Sequence, residues 1–336
     1  MERVLQQKGK RKYILFFETR NFGDAIIKND FIKKYGQANP VDYIDILCKK
    51  QFVSIFEDNP YIQHIYTSGF PIAGMKSWNF LELLGTIRKL HGQYDLAVDV
   101  LGDWRERLLL WMMHPRKILS LERAEGHPFN NLIRRGLSFL VEPVPISLDQ
   151  VNFYRQLDEL LVVLGGTPNP ISIEHAIPQR PRRVIGIHPL ASQECKLWGW
   201  NSWNELIHIL KGKGCSVWCF CAPKEKGIIE KNIDQEGIQT ISSDIKSFFR
   251  NLSQVDLLIC LDSFATHAAY SVGVPSIVLN GANDFRLWQT PLTKVVQGAF
   301  ECKYWPCYNK PKCTRYDCMA SIRVEDVTHL ISDEFS

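Results

Sequence analysis

The sequence predicts an α/β protein built from two doubly wound, Rossmann-like parallel-sheet domains. Three observations predict it. Short apolar runs alternate with amphipathic helical patterns in two successive series. A stretch rich in proline and glycine separates the series. Residues 255–284, VDLLICLDSFATHAAYSVGVPSIVLNGAND, read as strand, tight turn, helix, strand. In such a βαβ unit the helix N-terminus points backbone N–H groups at the carboxyl edge of the sheet, where an anion can sit. Ligands of these sheets bind at strand carboxyl ends, so the expected site is a central cleft that the two domains face.

The first series opens with a strand over 12–17, then the loop ETRNFG and the helix DAIIKNDFIKKYG, closed by Gly36. Strands follow at 43–47, 64–66, 94–98 and 117–119, with helices at 50–57, 79–90, 103–113, 129–140 and 150–164. Residues 166–183 hold four prolines and lack an apolar period, which marks the linker after a first domain of 1–165. The second series runs over 184–322. Its strands are 184–188, 216–220, 239–241, the two of the βαβ unit, and 294–297; its helices include 203–211, 224–234 and 245–252. A terminal helix, 323–336, closes the chain and is able to pack back on the first domain.

The 336 residues suffice for two cores, and the net charge of +4 tolerates an anionic partner without demanding nucleic acid. The basic leader MERVLQQKGKRK has no h-region behind it and no run is long enough to span a bilayer, so a cytoplasmic protein is expected. The leader reads as a frayed terminus or as a contact to the inner-membrane surface. Neither G-x-G-x-x-G nor a Walker A sequence occurs, which argues against dinucleotide oxidoreductases and NTPases. Of the ten cysteines, Cys48, Cys215, Cys219, Cys221 and Cys260 fall in or beside strands as small hydrophobes. Cys302, Cys307, Cys313 and Cys318 are spaced C-x4-C-x5-C-x4-C. Four such thiolates can close a structural zinc or iron site; as free thiols they would pack a turn-rich loop.

Several residues fall at strand ends. Asp24 follows the first strand and reads either as a helix cap or as a general base. Ser192 and Lys196 follow the strand over 184–188, where a lysine offers a compact charge to a phosphate; the alternative is a solvated side chain. Glu225 follows 216–220 and reads as a ribose-diol acceptor or as ordinary first-turn charge. Asp262, Ser263, Thr266 and His267 crowd the helix N-terminus of the βαβ unit; a histidine placed like His267 is more often structural than a base.

Taken together, NFGDAII at 21–27, IGIHPLASQECKLWGWNSW at 185–203, CAPKE at 221–225, DLLICLDSFATHAAYSVGVPSIVLNGANDFRLW at 256–288 and the cysteine tail at 302–327 resemble one family. It is glycosyltransferase family 9, the ADP-heptose:lipopolysaccharide heptosyltransferases of GT-B fold. The resemblance implies an inverting glycosyltransferase that needs no cofactor for catalysis. Its donor would be a nucleotide sugar, ADP-heptose favoured, and its acceptor an anionic glycolipid or surface glycan. A protein acceptor, or a silent nucleotide-sugar-binding protein of the same fold, are the alternatives. By position, Asp24 matches the family's base, Lys196 and Ser192 its diphosphate loop, and Glu225 its ribose contact. Asp262, Ser263, Phe264, Ala265, Thr266 and His267 match its D-[ST]-G-x-x-H signature. Arg105 and Arg123 lie in segments that look like the acceptor side, and Arg107, Arg134 and Arg135 are further arginines of that half. The family usually has glycine where this chain has Phe264, a side chain able to narrow the approach of the diphosphate or to stack on part of the donor.

Overall fold

The computed structural model describes residues 12–18, 21–67, 80–100, 104–121, 133, 135–144, 151–168, 183–299, 301–307 and 311–335. The chain divides into two compact units, residues 1–170 and 171–336. Most of the expected linker, and Arg123 and Arg134, lie outside the described residues, as does much of the helix expected over 129–140.

The first unit carries a six-stranded parallel sheet of β1 (Tyr13–Glu18), β2 (Tyr43–Cys48), β3 (Ile62–Thr67), β4 (Leu96–Asp99), β5 (Ile118–Leu121) and β6 (Glu142–Val144) in the order β3-β2-β1-β4-β5-β6. Its helices are α1 (Phe22–Ala38), α2 (Val53–Phe56), α3 (Phe80–Leu90), α4 (Trp104–Met112) and α5 (Phe153–Val163). The strand β6 is an addition to the elements read from sequence. Glu142-Pro143-Val144 is too short to show a period, and its proline is admissible because β6 is an edge strand. The helix α1 also differs from expectation, because Gly36 does not end it. The chain continues to Ala38, and Gly36 is needed because a side chain there would run into the ring of Tyr61.

The second unit repeats the plan. Strands β7 (Val184–His188), β8 (Ser216–Cys221), β9 (Ile238–Ser242), β10 (Leu257–Leu261), β11 (Ser276–Asn280) and β12 (Thr293–Gln297) form a parallel sheet ordered β12-β11-β10-β7-β8-β9. Strands β7, β10 and β11 are buried along their whole length, as expected of continuous apolar runs covered on both faces. The helices are α6 (Trp200–Gly212), α7 (Lys226–Asn232), α8 (Ile245–Leu252), α9 (Phe264–Ser271), α10 (Asp317–Ala320) and α11 (Val324–Phe335). One core joins Ile187, Trp203, Leu206, Ile259, Leu279 and Val327. The terminal helix α11 packs on α6, β11 and β12, and the indole N–H of Trp198 donates to the carbonyl of Ile322 at 3.0 Å just before it.

Each sheet has the strand order 3-2-1-4-5-6, counted within its own unit. The order reverses between β1 and β4 in the first and between β7 and β10 in the second. Those two points are where doubly wound sheets leave a crevice at the strand carboxyl ends.

Candidate active site

In the second unit the reversal point gathers most of the predicted residues. The pairing of Cys260 with His188 sets the ends of β10 and β7 level. Asp262 follows β10 immediately, and Ser263 is the N-cap of α9, its hydroxyl accepting from Ala265 N–H at 3.4 Å. From the other strand, the loop after β7 turns through a 3-10 segment, Glu194–Lys196, and returns Lys196 to the same spot. The ammonium of Lys196 lies 3.0 Å from Asp262 Oδ2 and donates to the Asp262 carbonyl at 3.3 Å. Both side chains are largely buried, at 15% and 9% exposure. Sequence reading placed Lys196 as solvated or phosphate-binding; the structure makes it the buried partner of Asp262.

Asn283, in the loop after β11, was not anticipated. Its amide donates to Asp262 Oδ2, and the side chain is buried. Its own carbonyl accepts from Asn280, whose amide also reaches Gln297 at 2.6 Å. A single carboxylate oxygen therefore receives both an ammonium and an amide. The only clue in the sequence was that a buried signature aspartate needs partners.

The other signature residues divide. Ala265 and Thr266 are buried; the Thr266 hydroxyl lies 3.5 Å from the Cys260 sulfur, and its backbone N–H bonds Ser263 O at 3.3 Å. The Thr266 side chain thus faces the core and not Lys196. His267 is buried with its ring 6.2 Å from that of Trp288. Phe264 is partly buried at the first position of α9. Ser192 is exposed in the loop before Lys196. Glu225 is half-buried and uses Oε2 to accept from Ala222 N–H at 2.9 Å, which ties the turn after β8. Its charge reaches His188. Burial pushes the His188 imidazole below its usual range, and Glu225 only partly offsets that.

In the first unit, Asp24 is not the cap of α1. Asn21 occupies that position, and Asp24 sits in the first turn, half-buried, accepting from the Asn21 amide at 3.1 Å. One turn on, Lys28 is fully buried and paired with Glu18 at 2.9 Å. Burial opposes the Lys28 ammonium, but Glu18, Glu106 and Asp24 together outweigh it and hold its pKa above the ordinary value. Arg107 is a structural residue and not an acceptor contact. It is fully buried and bonds Asp99 at 3.3 Å and Ser120 at 2.8 Å. Arg135 is exposed, and of Arg105 only the backbone, in α4, is described.

Cys302, Cys307, Cys313 and Cys318 line one cavity of about 390 Å³ together with Gly281 and Ala282. Thiolates suit zinc or iron, yet among the described residues no three ligating side chains stand close enough to hold an ion. Cys307 instead points its thiol at the Ala282 carbonyl, 3.6 Å away. The other cysteines behave as hydrophobes. Burial pushes the thiols of Cys48, Cys219 and Cys260 up to about 12. Among the described residues no helix is long and apolar enough to cross a membrane.

Residues 158–319 match the model of glycosyltransferase family 9 (heptosyltransferase). Over 299 residues the chain is 24% identical to lipopolysaccharide heptosyltransferase 3 of Escherichia coli strain K12, spanning 83% of this chain and 85% of that one. Among solved structures it is similar to E. coli heptosyltransferase WaaC with ADP-2-deoxy-2-fluoro heptose, with a TM-score of 0.72 at 14% identity over 96% of this chain and 99% of that one. It is similar also to E. coli ADP-heptose lps heptosyltransferase II, with a TM-score of 0.64 at 14% identity over 96% and 100%. A third, the iron-containing dodecameric glycosyltransferase TibC from enterotoxigenic E. coli H10407, gives 0.57 at 14% identity over 97% of this chain and 76% of that one. At these identities the structures establish a shared fold, GT-B.

Proposed function

From a chain that carries a glycosyltransferase family 9 domain and is a heptosyltransferase-like glycosyltransferase, we infer an inverting, metal-independent transfer of heptose from ADP-heptose to an anionic acceptor of the lipopolysaccharide-core type. The observation that carries the reading is the placement of Lys196 against Asp262 at the first turn of α9. A cation and a helix N-terminus converge there, which is the arrangement a departing diphosphate requires.

Inversion is one in-line displacement at the anomeric carbon. The acceptor oxygen forms the new glycosidic bond as the bond to the diphosphate breaks. Negative charge grows on the leaving group, and Lys196 and the first turn of α9 stabilise it. Asp24 takes the acceptor proton; the Asn21 amide fixes its carboxylate in the first turn of α1. Glu225, with one oxygen committed to Ala222, offers the other to the ribose diol. Arginines of the first unit, Arg105 and Arg123 among them, suit an acceptor rich in phosphate and carboxylate. The four C-terminal cysteines are structural in this reading, packed as thiols, and no step passes through them. The acceptor would bring the enzyme to the cytoplasmic face of the inner membrane.

The test is Asp24→Asn, assayed for ADP release from ADP-heptose in the presence of a lipopolysaccharide-core acceptor. Turnover should fall by about 10²–10⁴-fold, the usual weight of a general base, with ADP binding unchanged. Full turnover in the variant would falsify the assignment of the base.

A further inference from the structure

Phe264 opens α9, next to the carboxylate that holds Lys196. Its ring centroid lies 5.4 Å from that of His188, at 88°, and 5.4 Å from that of Phe248, at 51°. His188 and Phe248 touch in turn, 6.0 Å apart at 72°, and Phe248 rests on Phe220 at 5.5 Å. The three rings come from the end of β7, from α8 and from the start of α9. His188 and Phe248 are buried, at 4% and 5% exposure, and Phe264 is the member of the cluster that still meets solvent.

Two further features fix where that ring stands. Asp262, two residues before it in the chain, holds the Lys196 ammonium at 3.0 Å. Glu225, at the carboxyl end of the neighbouring β8, lies within electrostatic reach of His188, the ring beneath it. The first turn of α9 and Glu225 thus bracket this cluster: Phe264 opens the one, and its ring partner His188 lies within the charge of the other. The ring is already held edge-on by His188, so stacking on it would order no additional side chain. Every nucleobase has a π-face, so such a surface adds affinity for a nucleoside without choosing the base.

We propose that Phe264, locked by His188 and Phe248, is the platform on which the nucleoside of the donor lies, and that it makes this site prefer a nucleoside diphosphate over a bare diphosphate. This rests on the donor reading given above and specifies which part of the donor the residue contacts.

The experiment titrates the full chain with ADP and with inorganic pyrophosphate, for the wild type, Phe264→Leu and Phe264→Tyr. Leucine fills the gap between His188 and Phe248 but has no π-face; tyrosine keeps it. Phe264→Leu should lose about tenfold in ADP affinity, a modest stacking contribution, and stay within about twofold for pyrophosphate. Phe264→Tyr should bind both as the wild type does. An equal loss of ADP and pyrophosphate in Phe264→Leu would mean the ring only shapes the first turn of α9, and the proposal would fall. It would fall also if ADP binding were unchanged. A wild type that binds pyrophosphate but shows no preference for ADP removes the platform while leaving the anion site standing. A wild type that binds neither overturns the donor reading itself, and the platform with it.

Discussion

Lys196→Ala is the most informative single change, because it should damage stability and donor binding for separable reasons. Lys196 and Asp262 form a pair 3.0 Å apart, with side chains only 15% and 9% exposed. Removing one member of a buried pair costs about 3–5 kcal/mol, since the remaining charge stays desolvated. Asp262 would still keep the Asn283 amide, and some solvent reaches the pair, so the expected loss is about 2–3 kcal/mol. The second loss concerns the ligand. A charge-assisted hydrogen bond to a diphosphate contributes about 1.5–3 kcal/mol, or roughly 10–150-fold in ADP affinity. The double variant Lys196→Ala with Asp262→Asn separates them. Its urea midpoint should return close to that of the wild type, because no buried charge is left alone. Its ADP affinity, measured by calorimetry, should stay weak. If the double variant bound ADP as tightly as the wild type, Lys196 would serve only to neutralise Asp262, and the diphosphate would have to be held by something else.

Two further outcomes concern the first unit. Burial pushes the Asp30 carboxyl up to about 6, with Lys33 and Lys34 pulling the other way, and its Oδ2 has no hydrogen-bond partner. The folded state then holds that proton more tightly than the unfolded chain, so stability is lost as pH rises from 3.8, the ordinary value of the carboxyl, to about 6. Asp30→Asn should therefore stabilise by up to about 3 kcal/mol above that window, less in so far as solvent reaches the group, and by little near pH 3. Equal gains in melting temperature at pH 3.5 and 7.5 would contradict this. In the same helix, Lys28→Met strands the fully buried Glu18 and should cost about 3–5 kcal/mol, most of which Lys28→Met with Glu18→Gln should restore. Denaturant midpoints decide it, and a single variant as stable as the double would show that the Glu18 charge is met some other way.

The strand–turn–helix elements of the second unit were readable because they are local. VIGIH and LLICL are continuous apolar runs, and the serine after Asp262 caps the next helix as its position implies. What the sequence hid were contacts between distant segments. Asn283 reaches Asp262 across 21 residues, and nothing in NGAND marks one amide over another. His188 and Phe248 meet Phe264 from two other elements, and a histidine after a strand or a phenylalanine in an amphipathic helix gives no warning of it. The burial of Arg107 was hidden for the same reason. Its partners Asp99 and Ser120 are supplied by β4 and β5, which only the sheet brings beside it. Asp24 moved from cap to first turn because Asn21 and Asp24 are both good N-terminal residues, and the backbone of Asn21 decides which one caps.

The surroundings of α9 give a physical reason for a lysine beside Asp262. Every residue from Ala265 to Tyr270 is buried, and Ala265, Ala268 and Ala269 lie entirely out of solvent. A helix so enclosed can present little but its N-terminal end, and its dipole acts there with less screening than on an exposed helix. Left to itself, that end would attract an anion. The residue just before the cap is Asp262, a carboxylate that already satisfies the attraction and would repel a diphosphate. The Lys196 ammonium would offset that repulsion and add a charged donor of its own for the diphosphate beside the helix end. Asn283 holds the carboxylate toward that ammonium. On this account the aspartate of the signature does not bind the donor directly. It is the counter-ion that keeps a lysine at the mouth of a buried helix, where the charge on a leaving diphosphate would develop.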